Sequence, residues 1–172
     1  MTSPQLPDIV EPARLTAALR RSGVLDAGAV REVKVLHQHP AMVSHVIRLG
    51  LRYVGESAGA PHSVILKIPH SAYARSLANS GRQEVAFYIR LAPNMPSHIV
   101  PRCYDGHFDE ESQAWHLLLE DLTDSHEVAA DWPLPPSRDQ AIAIVTTLAR
   151  WHAAWWDHPS LGKTVGAWMS TD

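Results

Sequence analysis

Lys67 is the residue whose chemistry most needs an explanation. It sits in Val64-Ile-Leu-Lys-Ile-Pro69, a short apolar run that reads as a buried strand. An ammonium taken out of water costs several kcal/mol unless a charge partner comes with it. The next strong helical pattern, Ser80-Gly-Arg-Gln-Glu-Val-Ala-Phe-Tyr-Ile-Arg-Leu91, offers Glu84 one turn in, able to face back towards the strand. A third piece, Leu117-Leu-Leu-Glu-Asp-Leu122, reads as an apolar strand that exits in two acids.

The elements that must position these residues can be read in order. Residues 1–9 form a loose terminus with Pro4 and Pro7. Pro12 suits a first helical position, Leu15 and Leu19 give that helix an apolar face, and Gly23 can close it. Val30, Val33 and Val35 suggest a strand over 29–37 with imperfect alternation; Val43 to Val54 alternates more clearly. Gln38-His-Pro-Ala-Met42 would join the two as a hairpin tip, without glycine and with Pro40 removing a backbone donor, while Ser44 could offer its hydroxyl. Ser80 and Gln83 are spaced as a capping box for the Glu84 helix, and Pro93 marks its end. Strands are predicted at about 102–108 and 114–120, joined by the turn Asp109-Glu-Glu-Ser112. A linker over 123–136 leads to a helix over about 137–157 capped by Ser137 and Gln140. That helix is apolar on most sides, so burial on most sides is predicted, yet little chain follows to cover it.

Strand lysine, helix glutamate and Leu-Leu-Leu-Glu-Asp-Leu in this order resemble the amino-terminal lobe of the aminoglycoside phosphotransferase family. More narrowly they resemble its ecdysteroid-kinase-like members. Leu148-Ala-Arg-Trp-His-Ala-Ala-Trp-Trp-Asp157 is similar to the first helix of that family's carboxy-terminal lobe. The resemblance implies an α+β, protein-kinase-like lobe over 1–122, a linker over 123–136 and the start of a truncated second lobe over 137–172. It implies ATP as cofactor, with Mg in a complete enzyme, and phosphorylation of a small-molecule hydroxyl. Lys67 would contact phosphates, Glu84 would hold Lys67, and Ser44 would donate its hydroxyl to them. Val46, Ile65 and Leu119 would contact the base, and backbone groups near Glu120 and Leu122 would meet its edge. The family's catalytic loop and magnesium-binding aspartate do not occur in this sequence; Asp105-Gly-His107 has similar letters in the wrong order on a predicted strand. This polypeptide is therefore expected not to catalyse phosphoryl transfer alone.

Composition sets the remaining bounds. A net charge of −3 and a pI near 6.4 make no electrostatic case for nucleic acid. No run approaches a membrane span, and the first residues carry no apolar core of a signal peptide, so a cytoplasmic protein is the default. Cys103 is a lone cysteine and reads as an inert buried thiol. His37, His39 and His45 lie close in sequence, and His37 and His39 would share a face of a strand end, but no fixed third ligand joins those two, and no metal site is assigned. The alternative reading is a non-catalytic nucleotide-binding or protein-interaction module that associates through its Trp151–Trp156 helix.

Overall fold

The computed structural model describes residues 4–41, 44–70, 78–96, 99–126 and 135–163. The chain divides into two compact units, Met1–Ala92 with Pro101–Leu122, and Pro93–Val100 with Thr123–Asp172.

The first unit is a five-stranded antiparallel sheet of β1 (Ala29–Pro40), β2 (Ser44–Val54), β3 (Ser63–Pro69), β4 (Cys103–Phe108) and β5 (Trp115–Glu120), in the order β1-β2-β3-β5-β4. Helix α1 (Pro12–Arg21) precedes the sheet, and α2 (Ala78–Ala86) follows β3. Because alternate strand residues point to opposite faces, the sheet divides its apolar residues between two cores. Ile47, Leu49, Val64, Leu66 and Leu118 pack with Leu15 and Leu19 of α1 on one face. Trp115, Leu117 and Leu119 pack with Val85 of α2 on the other. The sheet carries a helix on each face because both sets of alternate residues are apolar.

Helix α1 starts on Pro12 and ends in a left-handed Gly23 (φ +71°). There Gly23 N donates to Arg20 O and Val24 N to Leu19 O, the paired bonds of a Schellman stop. Strand β1 runs on to Pro40, so His39 and Pro40 pair with Val46 and His45 instead of forming the hairpin tip. Its imperfect alternation has a cause: the register slips between Val30 and Glu32 and again between Val35 and His37. Each slip is a bulge that resets which face the next residue meets. The turn Asp109–Ser112 joins β4 to β5, with Asp109 Oδ1 accepting from Ser112 N and Oγ and Gln113 at φ 60°.

Two helix boundaries differ from the sequence reading. Helix α2 begins at Ala78, so Ser80 lies inside its first turn and is no cap. Before Pro93 the chain widens into a π turn over Phe87–Leu91, with Ala92 N donating to Phe87 O.

In the second unit, α3 (Arg138–Trp155) is capped as its sequence predicts: Gln140 N donates to Ser137 Oγ, and Ser137 N to Gln140 Oε1. It ends before Asp157, which is left-handed at φ 51°. Trp155 Nε1 donates to Met95 Sδ at 2.8 Å. The predicted burial of α3 is not observed. None of its residues is buried, and Ile142, Ile144, Leu148 and Val145, the last 65% exposed, lie open.

Candidate functional site

Val46 lies opposite Lys67, Arg48 opposite Ile65, and Ile65 opposite Leu119. Directly opposed residues share a face, so Val46, Arg48, Ile65, Lys67, Leu117 and Leu119 all project to the α2 side of the sheet. Gly81 is what lets α2 come close there. A Cβ on it would stand 2.2 Å from the Trp115 indole nitrogen. Glu84, one turn further along, thereby reaches Lys67: Nζ to Oε1 is 2.5 Å. The two side chains are 22% and 29% exposed, sheltered enough for the pair to be charge-assisted and open enough for the ammonium to meet a second anion.

The other residues singled out from sequence divide. Val46 and Ile65 are half-buried and Leu119 is buried, so three apolar side chains adjoin the ion pair on one face. Ser44 is on that face too, next to the hairpin end, but it is 1% exposed and its Oγ has no hydrogen-bond partner among the described residues. The Glu120 amide is already used, donating to Arg102 O at 2.8 Å, while Glu120 Oε2 accepts from Arg102 N. Leu122 is half-buried at the end of the first unit.

Four residues on this face were missed from sequence: Leu36, Arg48, Ser63 and Asp121. Leu36, turned by the second bulge of β1, lies with its methyl groups 3.0 and 3.1 Å from where a Gly50 Cβ would stand, and it is half exposed. Asp121 read only as one of two acids at a strand exit; its side chain is 3% exposed. Its Oδ2 accepts from Arg48 Nε and from Ser63 Oγ, both at 2.5 Å. The available signal was an arginine at an inward-facing position of β2, which must find an acid.

The opposite face holds a separate polar network. Asp105 Oδ1 accepts from Arg21 of α1 and Oδ2 from the His116 ring, each at 2.8 Å. The His116 hydrogen bond first, and the Arg21 guanidinium with it, hold the Asp105 carboxyl below the ordinary range even though burial opposes this. The Asp105-Gly-His107 letters therefore belong to β4 and tie a helix to a sheet edge. A groove of about 640 Å³ lies beside this network, lined by Arg14, Arg21, Asp105 and His107 among others, and away from Lys67. His45, on this same face, stacks on His70 with ring centroids 4.6 Å apart, and burial followed by His70 lowers its pKa. On the α2 side, burial pushes the Cys103 thiol up to about 11. Among the described residues no group of three His, Cys, Asp or Glu could hold a metal ion, and no helix is long and apolar enough to cross a membrane.

An antiparallel sheet whose third strand carries a lysine, ion-paired to a glutamate on the helix that follows, is consistent with a kinase-like lobe. The chain belongs to the Ecdysteroid kinase-like family, whose family model matches residues 39–156, more than half of its length. This is the narrower of the two resemblances drawn from the sequence. Neither the curated proteins nor the solved structures gave a match.

Proposed function

We propose that this chain is the nucleotide-holding part of a small-molecule phosphotransferase that uses ATP. The observation that carries the reading is the Lys67–Glu84 ion pair, set beside Val46, Ile65 and Leu119 on one sheet face. A half-sheltered ammonium fits the α- and β-phosphates, and Glu84 keeps it aimed when no nucleotide is present. Half-buried aliphatic side chains fit the faces of a base, and Leu36 over Gly50 adds to that surface. At Glu120 the amide is engaged, so contact with the base edge falls to the carbonyl, with the backbone at Leu122 as the second group. Ser44 reaches a phosphate only if the hairpin end shifts. ATP, when bound, supplies the phosphoryl group; Lys67 then offsets charge on its phosphates, and the aliphatic face excludes water from the base. Mg would accompany bound ATP, and no residue of this chain is assigned to hold it. No catalytic residue is assigned here, because the family's catalytic motif does not occur in this sequence. The substrate pocket and the acceptor hydroxyl are left unassigned for the same reason.

Calorimetric titration of ATP into the wild type and Lys67→Met tests this. Binding that weakens by about tenfold or more in the variant supports it, the loss of one charge-assisted contact. Equal binding by the two proteins contradicts it.

A second reading rests on α3. A helix apolar on most sides and buried on none is stable only against another surface. Under this reading the chain is a non-catalytic module that associates with a second copy through Ile142, Val145, Leu148 and Trp151. Light scattering that gives a monomer across a wide concentration range rules it out.

A further inference from the structure

Helix α2 carries Glu84, and its placement decides whether Glu84 meets Lys67. A helix this short is not stable by itself, and Gly81 inside it weakens it further. Its position therefore comes from what it lies on. Helix α2 packs on β4 and β5, and the π turn after it packs on β4. Glycines make the close approach possible at both ends. Gly81 lets the helix settle on Trp115, and Gly106 leaves room for Ile89 of the π turn, whose Cδ1 lies 3.1 Å from where a Gly106 Cβ would stand. Such apolar contact is non-directional, so it sets how near α2 lies to the β4–β5 hairpin but not where along the hairpin it stops. Arg82 supplies that direction. Its guanidinium lies over the Phe108 ring, 5.4 Å from the centroid, and donates to Glu110 in the β4–β5 turn. Phe108 is directly opposite Trp115, so the ring under Arg82 and the indole under Gly81 share one face. The turn that presents Glu110 is itself held in shape: Asp109 Oδ1 accepts from Ser112, and Gln113 Nε2 donates to the Glu110 carbonyl at 2.6 Å. Arg82 and Glu110 are each more than half exposed, so their ion pair adds little to overall stability. Its effect is on the position of α2.

We infer that Arg82 is a positioning residue for the Lys67–Glu84 pair: with Phe108 and Glu110 it latches α2 to the β4–β5 turn where Glu84 reaches Lys67. The inference deepens the nucleotide reading above and rests on it for its consequence, the affinity for ATP. Arg82 acts through Glu84, which follows it in the same helix.

Charge swaps test the latch, read first by competitive acetylation of amines with no nucleotide present. Closed, the ion pair shields the Lys67 amine, and its labelling is measured against Lys34 and Lys163 in the same sample. Arg82→Glu and Glu110→Arg each set like charges against one another. Each should raise Lys67 labelling by about threefold, the worth of an exposed ion pair or cation–π contact. Arg82→Glu combined with Glu110→Arg restores opposite charges and should bring labelling back towards wild type. Phe108→Leu keeps the apolar packing, removes the ring face and should give a smaller rise. Asp105→Asn weakens β4 from the other side of the sheet and should lower the Tm without moving Lys67 labelling. Calorimetric titration with ATP is the second readout. Both single swaps should weaken ATP, although they change the net charge in opposite directions; a long-range charge effect would weaken one and tighten the other, and would overturn the inference. Unchanged labelling in the single swaps overturns it, as does a rise that Asp105→Asn reproduces or that the combined swap does not reverse. If the labelling pattern holds and the wild type does not bind ATP, the latch stands and the nucleotide reading falls.

Discussion

Gly81→Ala is the substitution whose sign the structure decides against the usual rule. In a helix, alanine in place of glycine gains about 1 kcal/mol from propensity. Here the new Cβ would lie 2.2 Å from Trp115 Nε1 and 2.6 Å from Cδ1 and Cε2. Trp115 cannot swing aside, because it is buried in the core shared by Val85, Leu117 and Leu119. Overpacking of this kind costs about 1–3 kcal/mol, and a contact this short belongs at the upper end. The net expectation is a loss of about 2 kcal/mol, the difference of those two terms. For a chain of this size that is a fall in Tm of roughly 4–8 °C. The displacement of α2 should also draw Glu84 from Lys67, three residues along the same helix face, so nucleotide affinity should fall with stability. Thermal unfolding followed by circular dichroism reads the first effect and titration with ATP the second. A variant at or above the wild-type Tm would refute the argument, because α2 would then not be pinned on Trp115.

Other parts of the structure carry expectations of their own. The Asp105 carboxyl titrates below its ordinary value of 3.8, chiefly through the His116 hydrogen bond. A depressed carboxylate stabilises the fold above its unfolded pKa and loses that contribution as pH falls through the folded one. Urea midpoints should therefore drop more steeply below about pH 4 in wild type than in Asp105→Asn, and parallel curves would contradict this. The Cys103 thiol, raised to about 11 by burial, should react slowly with a disulfide reagent at pH 8 and quickly once urea is added; fast reaction in the folded protein would show the thiol to be accessible. Ser137→Ala removes the bond from Gln140 N to the Ser137 hydroxyl, leaving the backbone N–H of residue 137 to donate to Gln140 Oε1, and should cost about 1 kcal/mol of helix stability, seen as faster amide exchange over residues 138–141. Unchanged exchange there would mean that the cap does not hold the helix end.

What could be read from the sequence was local and periodic. The alternation of β2 and β3, the Pro12 start and Gly23 stop of α1, and the Ser137–Gln140 cap each depend on residues a few positions apart. The Lys67–Glu84 contact was also legible, because a lysine in an apolar strand demands an acid and the next helix supplies one. The misreadings come from interactions without a period. Two bulges in β1 break the alternation, carry His39 and Pro40 into the strand, and turn Leu36 onto the α2 face. The role of Asp121 could not be read because its partners Arg48 and Ser63 are distant in sequence and each is unremarkable alone. The Arg21–Asp105 bond spans 84 residues and has no signature in either segment. Helix α3 failed in the opposite way: its composition calls for burial, and composition cannot say against what.

The most direct measurement of the central claim uses an acyl-phosphate derivative of ATP, which acylates an amine lying against the phosphates of the bound nucleotide. The lysines of this chain are Lys34, Lys67 and Lys163, so peptide mass spectrometry can tell them apart. The account predicts labelling at Lys67, suppressed by excess ATP and increased relative to Lys34 and Lys163 at low probe concentration. Equal labelling of the three lysines, or labelling of Lys67 that excess ATP leaves unchanged, would contradict a phosphate site at the Lys67–Glu84 pair.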